Sequence, residues 1–294
     1  MIKNNYILYN GVLMARESWR QESDAWVLSF EQGIRMDFFA TGNRIPFLQA
    51  QLDLLGRRFR SVGWQLPSSL GFPELKPRFE KLLNRNRLFK GSLIRLLIIP
   101  QPESRELDGS PGFRYLASTE EREYDYFPLN VKGLSIGISS RYRNTGDPLY
   151  SSMVRSRIRS LLVREEAVGN GWDDILILDQ QDHLSESSCS SLFIRYRDRV
   201  VTPSAVNNGV PRVIPLLLPA WIREEGLSCS DKEDLVAADL QSADEVFLAD
   251  DLNGIRWVLS HEQKRYYRKL SASLSERLAE RMRNLDQFHI GSSG

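Results

Sequence analysis

The sequence predicts an α/β protein built from two domains, 1–125 and 126–294. Candidate strands and helices alternate along the chain, which is the pattern of α/β folds. A chain of 294 residues also fits two domains, because a single domain usually holds about 100–200 residues. The pattern is interrupted between 120 and 132, and the domain boundary is therefore placed there.

The first domain is expected to begin with short strands over 6–14 and 26–40, followed by two helices. The first helix has an apolar stripe at helical spacing, formed by Leu48, Leu52, Leu55, Phe59 and Val62. The second helix is placed at 73–89. The apolar, β-rich run Leu93–Ile99 predicts a buried strand. Residues 101–130 are polar and carry turn signals, so we expect them to be irregular.

The second domain combines strands and helices in the same way. Its strands are predicted at five short β-rich runs: Gly133–Ser139, Ile175–Leu178, Leu192–Tyr196, Val200–Thr202 and Glu245–Leu248. Helices are predicted at Ser151–Asn170 and Leu235–Leu240. Ser260 and Gln263 have the spacing of a capping box, so we expect a long terminal helix to begin there.

Charge and composition exclude several classes of protein. The net charge is +1, so there is no electrostatic case for binding nucleic acid or an anionic membrane surface. Cys189 and Cys229 are too few for a disulfide framework. His183, His261 and His289 lack the spacing of a zinc site, and no metal site is expected. Neither a signal peptide nor a bilayer-spanning run is visible, which predicts a cytoplasmic protein.

Short motifs follow one another in a fixed order between 130 and 280. They are Gly171–Asp179, Leu184–Phe193, Val201–Pro203, Gly209–Arg212, Ala243–Leu248 and Asn253–Val258. The fifth reads Ala-Asp-Glu-Val-Phe-Leu and matches the pattern A-D-E-v-F-l. In these residues and this order the chain resembles the class IV aminotransferases, which include branched-chain aminotransferases, D-amino-acid aminotransferases and aminodeoxychorismate lyases. The first domain fits the family more loosely, through Ile34–Met36 and Arg44–Pro46.

The resemblance implies a mixed α+β N-terminal domain and a larger α/β barrel-like C-terminal domain. Pyridoxal phosphate would bind between them, usually in a homodimer. This cofactor acts as an electron sink only after its aldehyde has formed an imine with a lysine amine. The family's lysine position, eighteen residues before Gly171, is Met153, and no lysine lies between Lys132 and Lys232. No catalytic residue is therefore assigned.

Two of the family's phosphate contacts are also altered. On the first long helix the family has the pattern H-x-x-R, and the matching residues here are the uncharged Gln51 and Leu54. After the A-D-E-v-F-l strand the family has Thr or Ser, whereas this chain has Ala249 followed by Asp250 and Asp251. Two carboxylates at this place would repel a phosphate dianion.

The third phosphate contact of the family is the N-terminus of the helix that follows the G-x-x-R motif. Backbone N–H groups and the helix dipole bind anions there. Pro211 removes one of these donors. Pro215 and Pro219 follow within the expected helix, and an interior proline costs about 3 kcal/mol. This helix is therefore expected to be short or kinked.

Three residues keep the family's pattern around the cofactor. Glu186 matches the carboxylate that pairs with the pyridine nitrogen, and Arg212 matches the arginine of G-x-x-R. The N–H group of Val210 remains as a backbone donor. The resemblance implies that these are vestigial cofactor-binding residues, able to support only weak noncovalent binding.

The leading hypothesis is a degenerate class IV aminotransferase-like protein without covalent pyridoxal phosphate. It would act as a binding or partner protein, as a homodimer or beside an active paralogue. The alternative is an active aminotransferase or aminodeoxychorismate lyase, for which Lys132 is the candidate lysine. A third reading has another small molecule bound in the interdomain cleft through Arg155, Arg157 and Arg159. These arginines alternate and cannot share one helical face, so a solvated helix is the favoured interpretation.

Overall fold

A computed structural model describes residues 5–19, 33–105, 111–146, 157–204, 211–232 and 234–284. The chain divides into two compact units. The first unit contains the described residues up to Tyr126, and the second contains those from Phe127 to Arg283. No helix in these ranges combines the length and the apolar character needed to cross a membrane.

The first unit contains an antiparallel sheet of five strands in the order β2-β1-β5-β4-β3. The strands are β1 Tyr6–Tyr9, β2 Val12–Ala15, β3 Ile34–Thr41, β4 Gly91–Arg105 and β5 Pro111–Glu121. Two helices, α1 Leu48–Ser61 and α2 Phe72–Arg85, pack on the sheet. The predicted stripe of α1 is buried in this core, with Val62 at its margin, which confirms the helical periodicity.

The expectation of irregular structure at 101–130 was wrong for 101–105 and 111–121, whereas 122–130 contains neither a helix nor a strand. Strand β4 extends to Arg105, and β5 pairs with it antiparallel along nearly its whole length. In β5 the alternate residues Tyr115, Ala117 and Thr119 are buried. The residues between them are polar or half-buried. The polar composition of the whole segment therefore concealed the alternation of buried and exposed side chains that is typical of a strand. The connection between the two strands lies outside the described residues.

The second unit is built around a closed ring of six strands. Its strands are β6 Leu134–Arg143, β7 Asp174–Leu178, β8 Leu184–Ser187, β9 Ser191–Tyr196, β10 Arg199–Pro203, β11 Ser228–Lys232, β12 Glu245–Asp250, β13 Gly254–His261 and β14 Lys264–Arg265. The ring runs β9-β12-β13-β6-β7-β8 and closes because β8 pairs with β9. This topology confirms the barrel-like α/β architecture.

Four described helices accompany the barrel. They are α3 Arg157–Gly169, α4 Val213–Glu224, α5 Ala237–Ser242 and α6 Lys269–Arg283. The apolar core inside the ring is formed largely by Leu, Ile and Val side chains of the strands. Helix α3 covers β7, because Val163 and Ala167 pack against Ile175 and Ile177. All five residues of β7 are consequently buried.

The terminal helix begins at Lys269, not at Ser260 as the capping-box spacing predicted. Ser260 lies in β13, which continues through His261 and pairs with β14. The helix start is fixed by Glu245, whose carboxylate accepts the N–H of Leu270 at 2.9 Å and the N–H of Ser271 at 2.7 Å. A tertiary hydrogen-bond acceptor thus overrides the local signal.

We expect Glu245→Ala to lower the free energy of unfolding by about 2–4 kcal/mol. Glu245 has no exposed surface, and its removal leaves two helix N–H groups and the Ser271 hydroxyl without an acceptor. Equilibrium denaturant unfolding measures this loss. The control is Glu276→Ala, an exposed residue of the same helix, which should change stability by less than about 0.5 kcal/mol. Equal stability of the two variants would contradict the assignment.

Candidate functional site

The structure describes most, but not all, of the residues singled out from the sequence. Met153, Val210 and Arg155 lie outside the described residues. Glu186, Arg212, Pro211 and Ala249 belong to the second unit, and Gln51 and Leu54 belong to the first.

Glu186 and Arg212 form a buried ion pair in the second unit. Glu186 lies in β8 and is fully buried, and Arg212 directly precedes α4 with 9% of its surface exposed. The Arg212 Nη2 atom is 3.2 Å from Glu186 Oε2, and Nη1 donates to Ser191 Oγ at 3.5 Å. Ser191 is also the register partner of Glu186 across β8 and β9. The charge of this carboxylate is therefore compensated within the chain.

The N-terminus of α4 is capped by Asp251, which lies 38 residues beyond the start of the helix in sequence. Its Oδ2 atom accepts the N–H of Val213 at 2.9 Å, and its Oδ1 atom accepts the N–H of Ile214 at 2.8 Å. Burial raises the pKa of Asp251, and the amide donors of Ile214 and Val213 offset only part of that rise. Each carboxylate oxygen is thus engaged by one amide of the first helical turn.

The rest of this first turn is already satisfied. Pro215 has no N–H, and the N–H of Leu216 is bonded to the carbonyl of Arg212 at 3.3 Å. The helix nevertheless extends over Val213–Glu224 and includes Pro219, so of the expectation of a short or kinked helix, the shortness was wrong. Pro215 lies in the turn where a missing N–H is tolerated. The two amides of this turn that have no partner within the helix are therefore those whose hydrogen bonds Asp251 accepts.

Asp250 forms a separate set of hydrogen bonds. Its Oδ1 atom accepts the N–H groups of Leu252 and Asn253, both at 2.8 Å, and shapes the turn from β12 to β13. Its Oδ2 atom accepts the Ser190 hydroxyl at 2.5 Å. Ala249, just before it, is fully buried. The two neighbouring carboxylates, Asp250 and Asp251, thus accept hydrogen bonds from different groups of the same chain.

A polar network centred on Arg256 was not predicted from the sequence. The Nη2 atom of Arg256 lies 2.9 Å from Asp174 Oδ2 and 2.8 Å from Ser190 Oγ. Asp250 Oδ2 is 3.7 Å away. Asp174 lies in the motif Gly171–Asp179 and Arg256 in the motif Asn253–Val258, but their pairing joins strands far apart in sequence. A pairing between residues 82 positions apart leaves no short-range pattern in the sequence.

Cys189 is adjacent to this network. Burial raises the pKa of its thiol, and the carboxylates of Asp250 and Asp174 raise it further. The thiol therefore stays protonated at neutral pH, which argues against a nucleophilic role.

In the first unit, Gln51 and Leu54 lie on α1 and both are buried. The Gln51 amide donates to the carbonyl of Asp37 at 3.2 Å. One turn further along α1, Arg57 is exposed, and Arg58 is 3.6 Å from the sulfur of Met36. The two positions predicted to match the family's His and Arg are therefore occupied by neutral, buried side chains.

Comparison with known proteins gives one family. A family model described as amino-transferase class IV matches residues 45–260. The chain is 26% identical over 130 residues to an aminodeoxychorismate lyase from Vibrio harveyi, covering 44% of this chain and 48% of that protein. It is 26% identical over 228 residues to a branched-chain-amino-acid aminotransferase from Pseudomonas aeruginosa, covering 75% and 69%. The match spans about half, or less, of the length of the first curated relatives.

Solved structures share the fold along nearly the whole chain. The branched-chain aminotransferase from Thermoproteus uzoniensis, crystallised with norvaline, has a TM-score of 0.81 at 16% identity and covers 97% of this chain and 96% of its own. The branched-chain amino acid aminotransferase from Thermobaculum terrenum, in its PLP-form, also has a TM-score of 0.81 at 16% identity, with 97% and 95% covered. At this identity the likeness establishes the fold.

We expect Arg212→Ala to lower the free energy of unfolding by about 3 kcal/mol or more, because it leaves the buried Glu186 carboxylate without its cation. Equilibrium denaturant unfolding is the measurement, with the exposed Arg164→Ala as control. In a double-mutant cycle, Arg212→Ala should cost less when Glu186→Gln has already removed the charge. Strictly additive effects would show that the two side chains do not interact.

Proposed function

The chain belongs to the class IV aminotransferase family, and we propose that it is a member without covalent pyridoxal phosphate that acts as a binding or partner protein. The observation that carries this proposal is Met153 at the family's lysine position, with no lysine between Lys132 and Lys232. Within the proposal, 1–125 and 126–294 are the two domains.

The chemistry of the cofactor explains why one position matters so much. When bound, pyridoxal phosphate supplies an electron sink for bonds at the α-carbon of an amino acid. Its attachment and the later proton transfer both require a lysine amine. Methionine has no amine and no titratable proton, so Met153 offers neither function.

The residues around α4 do not fit the phosphate of this cofactor. The carboxylate of Asp251 accepts the N–H groups of Val213 and Ile214, which are two of the donors that a phosphate at this helix would need. A phosphate would also meet the negative charge of Asp251. These contacts support the proposal, and no reaction step is assigned to the cofactor.

Changes at other positions support the same conclusion. The proposed lost contacts are Leu54, Pro211 and Ala249, none of which carries a charge or a side-chain donor. A hydrogen bond to a charged group contributes about 1.5–3 kcal/mol, so losing two or three weakens phosphate binding on the order of a thousandfold or more. Glu186, Val210 and Arg212 are proposed as vestigial contacts.

We expect the purified protein to be a homodimer at micromolar concentration. The family resemblance implies this assembly, and the 10% aromatic content with six tryptophans supplies the residue types that anchor interfaces. Sedimentation velocity measures the mass directly. A monomer across the micromolar range would contradict the homodimer and leave an active paralogue as the partner to be sought.

Incubation with pyridoxal phosphate followed by borohydride reduction should yield no stoichiometric pyridoxyl-lysine. The physical reason is the absence of an amine at Met153. Peptide mass mapping locates any adduct, and exposed lysines such as Lys81 serve as internal controls for low-level, nonspecific labelling. A stoichiometric adduct at one lysine, Lys132 being the first to inspect, would overturn the proposal in favour of an active aminotransferase or aminodeoxychorismate lyase.

A further inference from the structure

We propose that Asp251 is a specificity-determining residue that excludes phosphate groups from the N-terminus of α4. The inference rests on the proposed function, because that proposal makes the start of α4 part of a former cofactor site. It goes further by defining the class of ligand: any molecule recognised beside this helix must bind there without a phosphate.

The geometry of the cap carries the inference. A helix N-terminus attracts anions through its unpaired N–H groups and its partial positive charge. In the first turn of α4 the N–H groups without a partner inside the helix are those of Val213 and Ile214. Pro215 has no N–H, and the N–H of Leu216 is bonded within the helix. Asp251 accepts both at 2.9 and 2.8 Å, one on each oxygen. The carboxylate therefore occupies the two donors that the first turn of α4 offers to an anion.

The backbone around Asp251 holds this carboxylate in place. Asp250 accepts the N–H groups of Leu252 and Asn253 and so fixes the turn in which Asp251 lies. Three residues after Asp251, Gly254 has a φ of +68°, and an added Cβ there would lie 2.6 Å from the Cβ of Phe127. Moving Asp251 away from α4 would therefore disturb a constrained turn as well as break two hydrogen bonds.

Electrostatics around the helix start act in the same direction. The connected polar groups comprise four carboxylates and two guanidinium groups: Asp174, Glu186, Asp250, Asp251, Arg212 and Arg256. Both guanidinium groups already face a carboxylate at 3.2 Å or less. A phosphate dianion at this place would therefore meet an excess of negative charge. Both cations among these groups already have a carboxylate partner.

The test compares phosphate binding by the full-length protein and two variants. Isothermal titration with inorganic phosphate, and separately with pyridoxal phosphate, is applied to the wild type, Asp251→Ala and Asp234→Ala. Asp234 is an exposed residue in a surface ion pair, so this control removes a carboxylate that does not belong to the cap. We expect Asp251→Ala to bind phosphate at least about tenfold more tightly than the wild type, and Asp234→Ala to bind as the wild type does.

Amide resonances show where the phosphate binds. In Asp251→Ala, inorganic phosphate should shift the N–H signals of Val213 and Ile214, whereas the wild-type signals should not move. If loss of the cap prevents Asp251→Ala from folding, Asp251→Asn retains one acceptor oxygen, removes the charge and should show a smaller gain in affinity. Wild-type affinity in a folded variant, or tight phosphate binding to these amides in the wild type, would overturn the inference.

The two proposals fail in different ways. A stoichiometric pyridoxyl-lysine would refute the loss of covalent cofactor, whatever the affinity for inorganic phosphate. Unchanged phosphate affinity after loss of the Asp251 charge would refute the exclusion, even when no lysine is labelled.

Discussion

The pairing of β8 with β9 is the contact on which the second unit depends. It joins Glu186 to Ser191 and closes the six-strand ring. Closure buries the Glu186 carboxylate completely, and a buried charge requires a partner. Arg212 is that partner, and because it directly precedes α4, the ion pair also sets where this helix begins. Strand pairing, charge compensation and helix position are thus parts of one arrangement.

The same requirement explains the other polar contacts of the unit. Glu245 supplies the acceptors that α6 lacks at its start, and Asp251 does so for α4. Arg256 lies between Asp174 and Asp250. Each of these side chains joins elements that are distant in sequence and satisfies groups that would otherwise be buried without a partner. The unit therefore contains, within its own chain, the counter-charges that a bound ligand would otherwise supply.

Local patterns predicted the parts of the structure that local forces determine. The apolar stripe of α1 and the runs of buried strand residues gave the α/β class, and the ordered motifs gave the family and its barrel. Strand β5 was missed because its outward face is polar, and the start of α6 because Glu245 overrides the spacing of Ser260 and Gln263. The cap at Asp251 could not be predicted from local patterns for the same reason, because its partners are 38 and 37 residues away in sequence.

The cap on α4 has a consequence for the evolutionary history of the protein. A carboxylate that stabilises a helix start is favoured for the sake of folding once no phosphate competes for the same amides. Under the proposed function, a lysine introduced at Met153 would not by itself create a phosphate site at α4, because removal of Asp251 costs stability before any ligand is bound. Under the proposed loss of the covalent cofactor, the cap therefore adds a cost in stability to any return to phosphate binding.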